Sequence, residues 1–288
     1  MFTGILAATD FSEDGGLALE RAVHLAPATS TAVVTAVHVV EAGPLTVLRS
    51  LFGEPGAAER VALASATLRL QEALAALAPP AGVVLRPQVR TGRLLPELHD
   101  VAGADDLLVV GARGQHDLRR GFGGSTPARL ARAGRQAVLV VRNAVAGPYR
   151  QVLAALDLSA STPRVLGAAR WASGGSVQAV HAVEFSLGVA MAHAGVERAA
   201  IEWQRQRALA DARLALVQQV AEAGHGDATD SVVVEGYPTA ALLGQVEASG
   251  CDLLVLGKHG ATLADELFLG SVSRHLLAEA PCDVLVVP

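Results

Sequence analysis

Cysteine is almost missing from this chain of 288 residues; Cys251 and Cys282 are the only two. Two thiols exclude a disulfide framework and point to a reducing compartment, the cytoplasm. Lysine is rarer still, with Lys258 alone beside 22 arginines among 23 basic residues. Positive charge is not in excess, and the formal net charge of −5 argues against nucleic acid as a partner. No uncharged apolar run approaches the roughly 18–20 residues that span a bilayer, so no membrane association is expected. The start, MFTGILAATDFSEDG, lacks a basic segment and reaches Asp10 too early for a secretory signal. Also missing are low-complexity tracts, a Walker A run, and a glycine-rich G-x-G-x-x-G turn after the first strand. No histidine and carboxylate residues cluster at metal-ligand spacing, so no metal site is expected.

What the chain does have is repetition. GILAATDFS (4–12) matches VLAALDLSA (152–160), and TAVHVVEA (35–42) matches QAVHAVEF (178–185). DDLLVVGARG (105–114) matches CDLLVLGKHG (251–260), and AVLVVRN (137–143) matches DVLVVP (283–288). Order and spacing hold throughout, which marks a tandem duplication. Two domains are expected, 1–145 and 150–288, joined near NAVAGPYR. With 51% hydrophobic residues each has enough apolar material for its own core.

Within each copy, short apolar runs alternate with stretches of helical period. Strands are expected near 4–9, 33–40, 83–90, 106–111 and 137–142, then near 151–156, 177–183, 230–235, 252–257 and 283–287. Helices are expected near 16–27, 58–78, 94–103 and 126–133, with a long one near 195–223. The runs look continuously apolar, as in parallel strands covered on both faces. The fold class is therefore α/β: two tandem doubly wound five-stranded parallel-sheet sandwiches, Rossmann-like. The final strands VLVV (138–141) and VLVV (284–287) would be sticky as open edges, which suggests that the copies pair through them about a pseudo-twofold. The Gly- and Pro-rich insert 42–60 reads as a loop or flap, either covering a ligand or merely connecting.

Chemistry concentrates at one end of each sheet. Asp10 and Asp157 close the first strands, and Gly111 and Gly257 close the fourth, so all four face the mouth where doubly wound folds bind ligands. Two loops then share one spacing: Gly111, Gly114, nine residues, Gly124-Ser125; and Gly257, Gly260, nine residues, Gly270-Ser271. Glycine permits close backbone approach, and a Gly-Ser pair before a helix offers free N–H groups to phosphate. Ser271 as a plain helix N-cap explains the serine equally well, but not the glycines.

This G-2x-G-9x-G-S pattern after a fourth strand resembles the ATP-binding signature of the universal stress protein family. The likeness covers both copies: an Asp after strand one, V-H-V or V-H-A at strand two, D-L-L-V, the glycine loop, and the last apolar strand. The resemblance implies that Asp10 and Val39, or Asp157 and Ala182, border adenosine. It places Gly111 and Gly114, or Gly257 and Gly260, along ribose and phosphates. It assigns the phosphate cradle to Gly124, Ser125 and Thr126, or to Gly270, Ser271, Val272 and Ser273. The first copy departs at Pro127, which has neither N–H nor hydroxyl, yet it carries Arg113, Arg119 and Arg120 where the second has Asp265 and Glu266.

The expectation is a cytoplasmic stress-response protein that binds ATP, with Mg²⁺ entering through the phosphates, and that regulates an unknown protein partner. The alternatives are a slow ATPase and a binder of a small apolar ligand. A monomer with an internal pseudo-dimer or a homodimer is expected. Lys258 stands as a phosphate contact or a chance survivor, and His38 and His181 as core-edge or adenine-bordering side chains. His259 and His275 read as solvated. Cys251 and Cys282, opening neighbouring strands, read as adjacent half-buried thiols, with a redox pair as the alternative.

Overall fold

A computed structural model describes residues 2–41, 57–114, 125–186, 190–191, 193–226, 229–258 and 269–288. The chain divides into two compact units, Met1–Pro148 and Tyr149–Pro288. Unit 1 runs β1 (Ile5–Ala8), α1 (Glu13–Leu25), β2 (Val33–Glu41), α2 (Ala57–Ala75), β3 (Val84–Gly92), α3 (Leu94–Val101), β4 (Leu107–Gly111), α4 (Thr126–Ala133) and β5 (Ala137–Val141). Unit 2 repeats the plan with β6 (Tyr149–Ala155), α5 (Thr162–Ala172), β7 (Ser173–Val183), α6 (Arg198–Glu222), β8 (Thr229–Glu235), α7 (Pro238–Ser249), β9 (Leu253–Gly257), α8 (Ser271–Glu279) and β10 (Asp283–Val287).

Both units are doubly wound parallel sheets, as the sequence implies. The strand order is β3-β2-β1-β4-β5 in the first and β8-β7-β6-β9-β10 in the second. The order reverses between β1 and β4, and between β6 and β9. Register sets Ala8 beside Val110 and Ala155 beside Leu256. The next residues, Thr9-Asp10 beside Gly111 and Leu156-Asp157 beside Gly257, therefore leave the sheet together at the switch point. The interior is branched aliphatic: Ile5, Leu6, Leu107, Leu108 and Leu139 are buried, as are Leu153, Leu253, Leu254 and Leu285. Each contributes about 1.5–3 kcal/mol by leaving water.

Two expectations are corrected. β3 is not an apolar run covered on both faces; it is a partly exposed terminal strand, LRPQVRT, whose Pro87 pairs with Ala36. Proline lacks the ladder N–H and is tolerated because β3 has a neighbour on one side only in its sheet. Helix α1 begins at Glu13, earlier than 16, because Ser12 is its N-cap and accepts the Gly15 amide at 3.1 Å. Glu13 and Asp14 in the first turn suit the positive end of the helix. It ends at Leu25 ahead of Pro27, where a short 3₁₀ turn takes over. The insert 42–60 falls largely outside the described residues, but its last four positions form the first turn of α2.

The D-L-L-V motif has a structural component. Asp252 accepts the amides of Arg150 at 2.7 Å and Gln151 at 3.0 Å, tying the start of β9 to β6. Tyr149 donates its hydroxyl to Asp283 at 2.6 Å with both residues buried, a polar clamp that periodicity does not reveal. As expected, Cys251 and Cys282 are neighbours, with sulfurs 3.9 Å apart, though both are buried rather than half-buried.

Candidate functional site

In unit 2 the ends of β6, β7 and β9 and the starts of α7 and α8 surround a cavity of about 250 Å³. Its apolar wall is Pro238, Leu242 and Leu256, and its polar rim includes Asp157, His181, Ser271 and Ser273. Ala182, Gly257, Gly270 and Val272 complete the lining. The structure thus brings together every described residue named for the second site. Gly260 and His259, with Asp265 and Glu266, lie outside the described residues.

Asp157 is held in a turn that carries local strain. Its Oδ1 accepts the Ser159 amide at 3.1 Å, and the intervening Leu158 is left-handed at φ 59°. Such a conformation costs a non-glycine residue on the order of 1 kcal/mol. Gln219 of α6 opposes that cost: its Nε2 donates to the Leu158 carbonyl at 2.8 Å and its Oε1 accepts from the Thr162 hydroxyl at 2.8 Å. Sequence reasoning missed Gln219, because nothing in a helical pattern singles out one polar residue. The other oxygen of Asp157, Oδ2, is buried without a hydrogen-bond partner. A buried carboxyl oxygen without a partner is a site open to a ligand's donor.

His181 Nδ1 lies 2.7 Å from the Leu156 carbonyl. A carbonyl only accepts, so Nδ1 carries a proton and Nε2 is the ring nitrogen left to face other partners. His38 repeats the bond to the Thr9 carbonyl at 2.8 Å. Burial lowers the His38 pKa below the usual histidine value; the Thr9 bond opposes this, Arg69 adds to it and Asp10 opposes it. These histidines are ring-oriented parts of the sheet edge, in keeping with the core-edge reading.

The loop after β9 is closed by backbone. The Lys258 amide donates to Val287 at 2.6 Å, and the Lys258 carbonyl accepts the Gly270 amide at 2.9 Å. This corrects one expectation: the Gly270 N–H is not free for a ligand. A second correction concerns Ser271, which is not the N-cap. Gly270 is, with no side-chain cap, and Ser271 opens the helix. The amides of Ser271, Val272 and Ser273 consequently have no intrahelical acceptor. Ser273 instead spends its hydroxyl on the Gly257 carbonyl at 2.7 Å. Lys258 is 6% exposed, so it is no solvated surface cation.

Comparison with known proteins follows the same lines. Residues 1–142 and 148–288 each match the Universal stress protein family. The chain belongs to this family. A universal stress protein of Archaeoglobus fulgidus DSM 4304 has the same fold over 99% of this chain and 97% of its own, at 18% identity and TM-score 0.64. A protein of unknown function from Pseudomonas aeruginosa PAO1 aligns over 99% of this chain and 92% of its own, at 16% identity and TM-score 0.61. The universal stress protein encoded in the QAH/OAS sulfhydrylase 3′ region of Thermus aquaticus is 41% identical over 58 residues. That match spans 20% of this chain and 42% of the relative.

The first universal stress protein unit places its candidates differently. Asp10 Oδ1 accepts the Ser12 amide at 3.0 Å, and Phe11 is left-handed at φ 62°, the counterpart of Leu158. Phe11 packs on His38 with ring centroids 4.3 Å apart and planes tilted by 32°, and the Arg69 guanidinium lies 4.2 Å from the Phe11 ring centroid. Gly111 and Gly114 are not left-handed; glycine there answers a lack of space. A Cβ on Gly111 would lie 2.6 Å from the Asp14 backbone, and one on Gly114 would lie 2.8 Å from Asp10 Oδ2. Asp14, unnoticed in the sequence, accepts the Arg113 amide at 2.8 Å, with Arg113 Nε 3.6 Å away. Val39 is buried at 8% exposure. Ser125 caps α4 by accepting the Ala128 amide at 3.4 Å, Thr126 is the first helical residue, and Pro127 follows. Gly124, Arg119 and Arg120 lie outside the described residues.

Proposed function

We propose that this universal stress protein binds ATP, or a related adenine nucleotide, in the unit 2 cavity and acts through occupancy of that site, with no catalytic step of its own. The carrying observation is the unpartnered Asp157 Oδ2 on the wall of a cavity whose other end is an uncapped helix start. An adenosine supplies amino and hydroxyl donors for the first, and a polyphosphate supplies acceptors for the second. The apolar wall of Pro238, Leu242 and Leu256 suits the faces of a flat base.

In this reading Asp157 and Ala182 border the adenosine, Gly257 flanks the sugar, and Gly270, Ser271, Val272 and Ser273 surround the phosphates. Among the described residues no three His, Cys, Asp or Glu side chains group as metal ligands. In this reading Mg²⁺ enters through the phosphates. Among the described residues no helix is long and apolar enough to cross a membrane. In this reading the protein acts in the cytoplasm on a protein partner.

Isothermal titration with ATP, ADP and cyclic AMP, alongside native mass spectrometry of the purified protein, tests the proposal. Binding of one of the three, weakened by Asp157→Asn, is expected. Absence of binding by all three, with retention of an apolar small molecule in the mass spectrum, would overturn it.

A further inference from the structure

We infer that the outer face of α6 is a self-docking seam, through which two copies of this chain pair antiparallel about a two-fold axis. A helix that covers one side of a sheet needs a single apolar face. In α6 that face includes Leu216 and Val220, which are buried. The helix has a second one. Trp203, Leu214 and Val217 are 57%, 71% and 56% exposed, and at 3.6 residues per turn they align with Ala210 and Ala221. Every residue of this stripe is exposed, on the side away from the sheet, so none of it serves the core of unit 2. The stripe runs for about 27 Å. Its intervals of seven, four, three and four residues are those of a coiled-coil seam.

The charges beside the stripe select the occupant. Arg207 and Asp211 are 63% and 69% exposed and 3.8 Å apart. Helical period places both on one flank, with Gln206 and Arg213 on the other. Two helices related by a perpendicular two-fold run antiparallel and set each flank against the same flank of the other copy. Placing Trp203 against Leu214 of the second copy puts the axis beside residues 208 and 209. Arg207 then stands only about 1.5 Å along the helix from Asp211 of the second copy. The relation holds twice, so two arginines and two aspartates form a neutral cluster at the middle of the seam. A parallel pair would instead stack Arg207 on Arg207, like charge on like.

Opposite charges at mirrored places are what a face needs to fit itself, and an unrelated partner requires no such symmetry. The Arg207 guanidinium already lies 5.4 Å from the Trp203 ring centroid, so cation and ring share the stripe within one chain. A single helix pair is small beside the roughly 1,200–2,000 Å² of a standard interface. The dimer is therefore expected to depend on concentration.

Sedimentation velocity on the full chain, without nucleotide and across a range of concentration, tests this. Wild type is expected to pass from monomer to dimer as concentration rises. Leu214→Glu should raise the dissociation constant at least about 100-fold, since the dimer loses the contact twice. Arg207→Asp should weaken the dimer about tenfold. Adding Asp211→Arg should restore it, because the exchanged charges still face their opposites across the axis. These positions are exposed, so circular dichroism should show an unchanged fold; should Leu214→Glu fail to fold, the charge exchange decides alone. A wild type that stays monomeric to about 1 mM overturns the inference and leaves the stripe to a different protein. A dimer untouched by Leu214→Glu, or a charge exchange that does not restore pairing, overturns it too. Species larger than a dimer would seat α6 on another face of the next copy, such as exposed Val61 and Leu68 of α2, and would overturn the two-fold. None of these results bears on nucleotide binding.

Discussion

The Ser273 hydroxyl donates to the Gly257 carbonyl at 2.7 Å, so the first turn of α8 is fastened to the end of β9 by one side chain. Ser273 is 8% exposed, and the bond is shielded from water. Ser273→Ala removes the donor and leaves the carbonyl unmatched. A loss of about 1 kcal/mol is expected, read as a lower urea midpoint with an unchanged slope. An unchanged midpoint would show that the fastening contributes nothing.

Asp157→Asn separates binding from folding. The amide keeps an oxygen for the Ser159 N–H, and it replaces the unpartnered Oδ2 by a donor. Stability should stay within about 0.5 kcal/mol of wild type, since no existing bond is removed. Nucleotide affinity should fall about tenfold or more, equivalent to about 1.4 kcal/mol. Equal affinity in the two proteins would remove Asp157 from the site.

His38 predicts a pH effect. Its folded pKa is lowered, chiefly by burial, below the ordinary value of 6.5. The unfolded chain therefore binds the proton more readily than the folded one, and stability falls as pH drops below about 6.5 until the lower folded value is passed. Thermal melts of wild type and His38→Gln between neutral and mildly acidic pH should show the steeper decline in wild type. Parallel declines would remove His38 from the pH response.

The cysteine pair should be inert. The Cys251 thiol is pushed up, first by its hydrogen bond with Cys282 and then by burial, so thiolate is scarce at neutral pH. Native protein is expected to resist iodoacetamide at mildly alkaline pH, and to take up two labels once unfolded. Rapid labelling of the folded protein would reverse this reading.

Much of the architecture was legible because it rests on period and repetition. Apolar runs at matched spacing locate the strands, and the shared Asp and Gly positions locate the switch point, since register follows from strand ends. What escaped was local. Ser12 followed by Glu13 and Asp14 was a visible start signal for α1, yet the apolar period after it drew the boundary later. The glycines illustrate a deeper limit. A glycine that admits a ligand and one that admits a neighbouring helix are spelled alike, and at Gly111 the neighbour is the backbone of Asp14. Asp14 and Gln219 were silent for the same reason: each acts through a contact distant in sequence.

Phe11 and Leu158 occupy the same left-handed position in the two units, with φ of 62° and 59°. Neither side chain favours that geometry, and the two differ in shape and chemistry. After duplication the copies were free to exchange an aromatic ring for an aliphatic one, but not to straighten the path beneath it. The trajectory is pinned on either side by the same pair, Asp10 with the Ser12 amide in one unit and Asp157 with the Ser159 amide in the other. The residue between them can therefore change its chemistry while the corner keeps its shape.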